Sequence, residues 1–263
     1  MPELYTLHRG RAPLLINVPH AGTQVPEEIS ARFSAAARAL PDTDWHVDTL
    51  YDFAASLGAS VLIAHYSRYV IDLNRPSDDE ELYPGQQTTG LVPVDTFDGD
   101  PIYDRDIDPD VAEVMGRVDG YWTPYHATLR RELDRIRREH GHVVLWDAHS
   151  IASEVPRLFD GKLPDFNIGT NGGKSCSPTL ETAVEKAATS AQGYTSVVNG
   201  RFKGGYITRH YGDPENGVHA VQLEQSQATY MDETPPWPFR IDLANSVRPH
   251  LRHMIETCLD WRP

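Results

Sequence analysis

Apolar positions along the chain recur in two rhythms. Short continuous runs lie at residues 13–18 (PLLINV), 60–66 (SVLIAHY), 69–73 (YVIDL) and 143–146 (VVLW). Runs of this length predict buried strands. Residues 195–199, 205–210 and 218–224 read as three more strands between Gly-rich turns, the last alternating as VHAVQLE. The second rhythm is helical. Residues 27–38 begin among a Pro and two acids, an N-terminal signature. Residues 44–57 carry Val47, Leu50, Tyr51, Ala54 and Leu57 at three-to-four spacing, with Asp44 placed to cap the start and Gly58 to end it. Residues 109–139 predict a long helical stretch that Trp122-Thr123-Pro124 kinks or divides. Residues 178–190 and 240–259 predict two further helices. Strands interleaved with helices make an α/β layer fold with a mostly parallel sheet, and the late run of strands adds some antiparallel pairing.

Residues 76–108 are acidic and lack periodicity. A loop this long in a compact domain often covers a site, which makes it a candidate lid. No linker, repeat or low-complexity block divides the 263 residues, so a single domain over 1–263 is expected. No apolar run reaches the roughly 18 residues of a membrane span, and the N-terminus lacks the apolar core of a signal peptide. Two distant cysteines, Cys176 and Cys258, make no disulfide framework and fit a reducing cytoplasm. The net charge of −14 repels phosphate backbones, which argues against nucleic-acid binding. An anionic substrate would therefore need a locally basic pocket. No exposed apolar face stands out from which an oligomeric state could be read.

The candidate chemistry gathers at strand ends. In LLINVPHAGT, His20 follows an apolar run that Pro19 closes; in VVLWDAHS, His149 follows another. Ligands in open α/β sheets collect outside the carboxyl ends of strands, so the two histidines have a common place to meet. Two His and one carboxylate make a catalytic zinc site with an open position for water. The segment DTDWHVD offers Asp48 and, as its rival, Asp44; Asp48 ranks ahead because Asp44 has a capping role. Asp147, two residues before His149, is either an orienting carboxylate for a metal-bound His or a turn former. Arg68, Asn74 and Arg75 in SRYVIDLNR can grip a carboxylate, or the arginines can pair with nearby acids. Arg201, Lys203 and Arg209 in GRFKGGYITRHYG form a second basic group beside glycines that permit close approach of a ligand. Glu224 ends an otherwise apolar strand, where a carboxylate is costly unless used or paired; it suits a general base.

Taken together, VPHAGTQVP, DTDWHVDTLYDFA, SRYVIDLNRP, WDAHS, GRFKGGYITRHYG and GVHAVQLEQSQATYMDE resemble the N-formylglutamate amidohydrolase family over almost the whole chain. The resemblance implies a three-layer αβα fold with a mixed central sheet, akin to zinc-dependent exopeptidases of carboxypeptidase type. It implies hydrolysis of N-formyl-L-glutamate, a small dicarboxylate, to formate and L-glutamate in a histidine degradation route. It implies zinc or another divalent ion on His20, His149 and Asp48 or Asp44, with Glu224 as the catalytic glutamate. Arg68, Asn74 and Arg75 match the group that holds a substrate carboxylate. A hydrolase of another N-acyl amino acid or peptide terminus, and a non-catalytic binder of acidic amino acids, are the competing readings.

Overall fold

The apolar runs become the centre of one sheet in the computed structural model, which describes residues 3–80, 89–104 and 108–263. Its strands are β1 (Tyr5–His8), β2 (Leu14–Val18), β3 (Ser60–Ala64), β4 (Val143–Ile151), β5 (Phe166–Gly169), β6 (Ser196–Val198) and β7 (Val218–Ser226), in the order β1-β3-β2-β4-β7-β5-β6. The central strands β3, β2, β4 and β7 run parallel. The antiparallel pairings are β1 with β3 and β5 with β7, while β6 runs parallel to β5. The sheet is thus mixed and mostly parallel, as the pattern predicts.

The helices are α1 (Glu27–Ser30), α2 (Val47–Leu50), α3 (Val111–Arg117), α4 (Thr123–His140), α5 (Pro178–Thr189), α6 (Tyr206–Tyr211) and α7 (Ile241–Asp260). Every residue of β2, β4 and β7 is buried, as strands covered on both faces must be. The two-residue period of the strands sorts them into two cores. Leu14, Ile16, Val18, Val144 and Trp146 pack against Val47 and Leu50 of α2, Leu180 and Val184 of α5, and Val247 and Leu251 of α7. Leu15, Val143, Leu145 and Ala220 face the other way, onto Tyr125, Leu129 and Leu133 of α4 and Ile207 of α6. Three layers result. Among the described residues no helix is long and apolar enough to cross a membrane.

Four expectations change, each for a local reason. The helix expected over 44–57 shrinks to α2 and a 3₁₀ turn at Ala54–Leu57, because His46 takes a left-handed conformation (φ 62°) that blocks any earlier start. The helix expected over 27–38 is likewise only α1 and a 3₁₀ turn at Ala37–Ala39. The strand expected over 205–210 is α6: Ile207, Thr208 and Tyr211 face inward, a helical spacing too short to distinguish from alternation in sequence. The strand expected over 69–73 is a loop, because its carbonyls are taken by side chains rather than by a neighbouring strand. Arg117 donates to Tyr69 O (3.3 Å) and Val70 O (3.0 Å), His126 to Leu73 O (2.9 Å), and Trp122 to Arg75 O (2.9 Å).

Arg117 closes α3 and His126 stands in the first turn of α4, and Trp122 ends the wider π turn (Val118–Trp122) that joins the two helices. Pro124 explains the widening: it has no N–H for the carbonyl of Gly120, and its ring would collide with that carbonyl in a regular helix. The sequence places the break at the same residues.

Leu15 tests the packing: it is fully buried on the α4 side of β2. Leu15→Ala is expected to lower stability by about 2–5 kcal/mol in urea titration; a loss below about 1 kcal/mol would contradict the close packing described.

Candidate active site

His20 and His149 meet above the centre of the sheet. β2 ends at Val18, Pro19 cannot extend the ladder, and His20 follows, only 2% exposed. The turn after it needs Gly22, whose position abuts the backbone of His65 and Tyr66; an added Cβ would lie 2.4 Å from the carbonyl carbon of His65. His149 reaches the same place differently. β4 does not stop at Trp146 but runs on to Ile151, paired with β7 throughout, so Asp147 and His149 are same-face positions within a strand. The two imidazoles stand 5.0 Å apart between ring centroids.

The carboxylate between them is Asp44. Its Oδ2 accepts from His149 Nδ1 (3.0 Å) and the Ser150 backbone N–H (3.2 Å), and lies 3.8 Å from His20 Nδ1. Asp44 is not a helix cap; its own N–H donates to His20 O at 3.1 Å, which docks this segment on the strand end. Asp48 stands exposed in the first turn of α2, where its carboxylate accepts from the Thr49 hydroxyl. The structure therefore moves the choice from Asp48 to Asp44, because the late start of α2 frees Asp44 to turn inward. Ligand atoms of His20, Asp44 and His149 all lie within 4.8 Å of one another. Two imidazole nitrogens and one carboxylate oxygen, buried and converging, fit a divalent metal ion of the zinc type.

Each histidine has a second carboxylate behind it. Asp72 Oδ1 accepts from His20 Nε2 (2.8 Å) and from the Asn74 N–H (2.8 Å). Asp147 Oδ2 lies 3.3 Å from His149 Nε2. Asp147 is itself held by Asn17 Nδ2 (2.9 Å) and the Thr208 hydroxyl (3.2 Å), and Asn17 accepts from the Tyr125 hydroxyl (2.6 Å). Such partners leave the Nδ1 edges of both rings facing the centre.

The charges respond accordingly. Burial alone would lower the His149 pKa, but Asp147 and Asp44 overcome it and hold it well above its ordinary value. Burial, with Arg68 adding to it, pushes His20 down. For Asp44, burial opposes ionisation, yet Arg68 and the two histidines keep its pKa below the usual carboxylate value. Glu224 sits beside His149 in the β4–β7 register. Burial pushes it up to about 8, with His149 opposing and Asp44 reinforcing the shift.

A cavity opens over this cluster, with Arg68, Asn74, Arg75, Phe97, Arg201, Gln222 and Glu224 among its walls. Arg68 contacts His20 Nδ1, lies 3.5 Å from Asp44 Oδ1, and sits 5.0 Å from the centre of the Phe97 ring. A ring nitrogen accepts one donor, so a metal on His20 Nδ1 requires Arg68 to withdraw into the cavity. Arg75 donates to Thr89 O (2.7 Å), Thr89 Oγ1 (3.3 Å) and Asn74 O (3.0 Å). Asn74 turns its Oδ1 to the Ile207 N–H (2.8 Å) and its Nδ2 towards His149 Nε2 (3.1 Å). Its Oδ1, with its backbone N–H on Asp72, therefore ties α6 to the cluster.

Of the second basic group, only Arg201 lines the cavity. Lys203 is exposed, and Arg209 donates Nε to Gly204 O at 2.7 Å, bracing the glycine turn. Within the expected lid, Thr89 and Phe97 form part of the wall; residues 81–88 and 105–107 lie outside the described residues. Sequence reasoning passed over Gln222, read Trp122 only as part of a helix break and read Asp72 only as a partner for the arginines. Asp72 alone carried a signal, an acid two residues before Asn74-Arg75.

Comparison with known proteins places this arrangement. The family model of N-formylglutamate amidohydrolase matches residues 12–231. N-formylglutamate deformylase of Pseudomonas aeruginosa is 55% identical over 261 residues, covering 99% of this chain and 98% of that protein. N-formylglutamate deformylase of Pseudomonas putida is 52% identical, covering 99% and 97%. The crystal structure of N-formylglutamate amidohydrolase from Ralstonia eutropha JMP134 is similar with a TM-score of 0.81 at 29% identity, over 97% of each chain.

Asp44→Asn is expected to weaken divalent-metal binding by at least about tenfold, and Asp48→Asn to leave it unchanged, by metal analysis after dialysis. A proton must leave His149 before a metal binds its ring, so affinity should rise with pH through neutrality in calorimetric titration. Affinity flat between pH 6 and 8 would count against His149 as a ligand.

Proposed function

The chain belongs to the N-formylglutamate amidohydrolase family, and on that footing we propose that it hydrolyses N-formyl-L-glutamate to formate and L-glutamate with the His20–Asp44–His149 cluster as its metal centre. The observation that carries the residue-level reading is the cavity itself. It sets a buried carboxylate, Glu224, beside a His/Asp/His cluster, within arginine-bearing walls. A divalent ion of the zinc type held by His20, Asp44 and His149 would supply the Lewis acidity that makes water a nucleophile at neutral pH.

Glu224 takes a proton from the attacking water as its oxygen bonds to the formyl carbon. The carbonyl oxygen gains negative charge, and Arg68, beside the cluster, is the cationic donor nearest to receive it. Glu224 then returns the proton to the nitrogen as the C–N bond breaks, which leaves formate and the free amine of glutamate. The raised pKa of Glu224 suits both halves of that exchange. Arg75 and Arg201 line the walls and are assigned to the two substrate carboxylates. In this reading Asn74 is a brace rather than a substrate ligand, since its amide oxygen is already taken by the Ile207 N–H.

Purified protein should release formate from N-formyl-L-glutamate, lose that activity to a chelator and regain it with Zn²⁺. Turnover of N-acetyl or longer N-acyl amino acids in place of the formyl compound would transfer the chain to a broader acylase activity. Arg75→Ala should raise KM at least about tenfold with metal content unchanged; loss of metal in that variant would refute its assignment. Glu224→Gln should lower kcat by at least about a hundredfold while substrate binding persists.

A further inference from the structure

Gln222 precedes Glu224 by two residues on β7, so both side chains project from the same face into the cavity. It is 3% exposed. Its Oε1 accepts from the Gly205 N–H at 2.7 Å, and its Nε2 donates to Glu224 Oε2 at 3.3 Å. The orientation of the amide is not arbitrary. A backbone N–H only donates, so the oxygen must face Gly205, and the NH₂ must face the carboxylate. Among the described residues this is the one side chain that hydrogen-bonds to the carboxylate of Glu224.

We infer that Gln222 is a positioning residue for the general base. This rests on the assignment of Glu224 made above. A carboxylate that is 8% exposed needs a partner for its buried oxygen and a restraint to keep one lone pair aimed at the water. Gln222 supplies both at Oε2 and leaves Oε1 for the proton. Its other end is anchored in a part of the fold that cannot shift freely. Gly205 begins α6 and lies against the amide of Asn74; a Cβ there would stand 2.3 Å from Asn74 Nδ2. The aim of the base is thereby referenced to the same glycine turn that follows Arg201.

Two substitutions separate the two arms of the amide. Gln222→Glu keeps an oxygen for the Gly205 N–H and replaces the neutral amide donor with a second carboxyl that must share a proton with Glu224. Gln222→Met keeps the length and removes both bonds without adding charge. Each is expected to lower kcat for N-formyl-L-glutamate by about thirtyfold, with KM within about threefold and metal content unchanged. Combined with Glu224→Gln, neither loss should multiply, because the base they serve is gone.

A normal kcat in Gln222→Glu would mean that Glu224 does not depend on a neutral amide donor at 222, and would overturn the inference. A normal kcat in Gln222→Met would reduce the effect to added charge, and would overturn it too. A raised KM with kcat retained would make Gln222 a substrate-binding or structural residue instead. Should Gln222→Met fail to fold, the near-isosteric Gln222→Glu and its double variant decide by the same criteria. If the unaltered protein shows no metal-dependent formate release, the proposed activity fails; if it does and the variants match it, the role of Gln222 alone fails.

Discussion

Charge without water is the condition the fold has to satisfy at the carboxyl ends of its central strands. Asp44, Asp72 and Asp147 are at most 1% exposed, and Arg68, His20 and His149 are each under a tenth exposed. A single ion left unpaired in such surroundings costs several kcal/mol. Every one of these carboxylates therefore has a cation or a hydrogen-bond donor assigned to it, and the assignments interlock. Asp72 fixes His20, Asp147 fixes His149, and Asp44 joins the two rings. The backbone follows these pairings. The segment before α2 folds inward so that Asp44 can reach, and the 69–73 loop leaves the sheet so that Asp72 can turn back on His20.

Sequence alone goes far here because the chemistry sits on the most regular part of the fold. His20 follows the end of an apolar strand and Glu224 lies near the end of another, and the two-residue period places Glu224 and Gln222 on one face. Asp44 ranks behind Asp48 in sequence for an instructive reason, although the structure sets Asp44 beside the two histidines. A three-to-four spacing over 44–57 predicts a helix, and a helix gives Asp44 a cap to make. One left-handed residue, His46, cancels that helix, and nothing in the composition announces it. The 69–73 run fails similarly: its apolar side chains do enter the core, but its carbonyls find Arg117 and His126, which lie more than forty positions on. Local pattern reports burial faithfully and is silent about which partner completes a hydrogen bond.

The arrangement divides labour between the layers. Parallel strands hold His149, Gln222 and Glu224 with the precision of a hydrogen-bonded ladder. Loops carry Arg68, Arg75 and Arg201, which line the cavity opposite the strands. One wall of the cavity is thus fixed to the sheet, while the arginine-bearing wall rests on segments whose own supports lie elsewhere.

The suspension of residues 69–75 from α3 and α4 has an evolutionary corollary. Because side chains rather than a β-ladder carry that loop, its course is independent of strand register. Arg117, Trp122 and His126 could be exchanged together with the loop as one cassette, while the strands bearing His149 and Glu224 stay as they are. Diversification of side-chain preference within such a scaffold would then proceed by co-inheritance of a helix pair and the loop it carries, and a graft of the loop alone would arrive without its hangers.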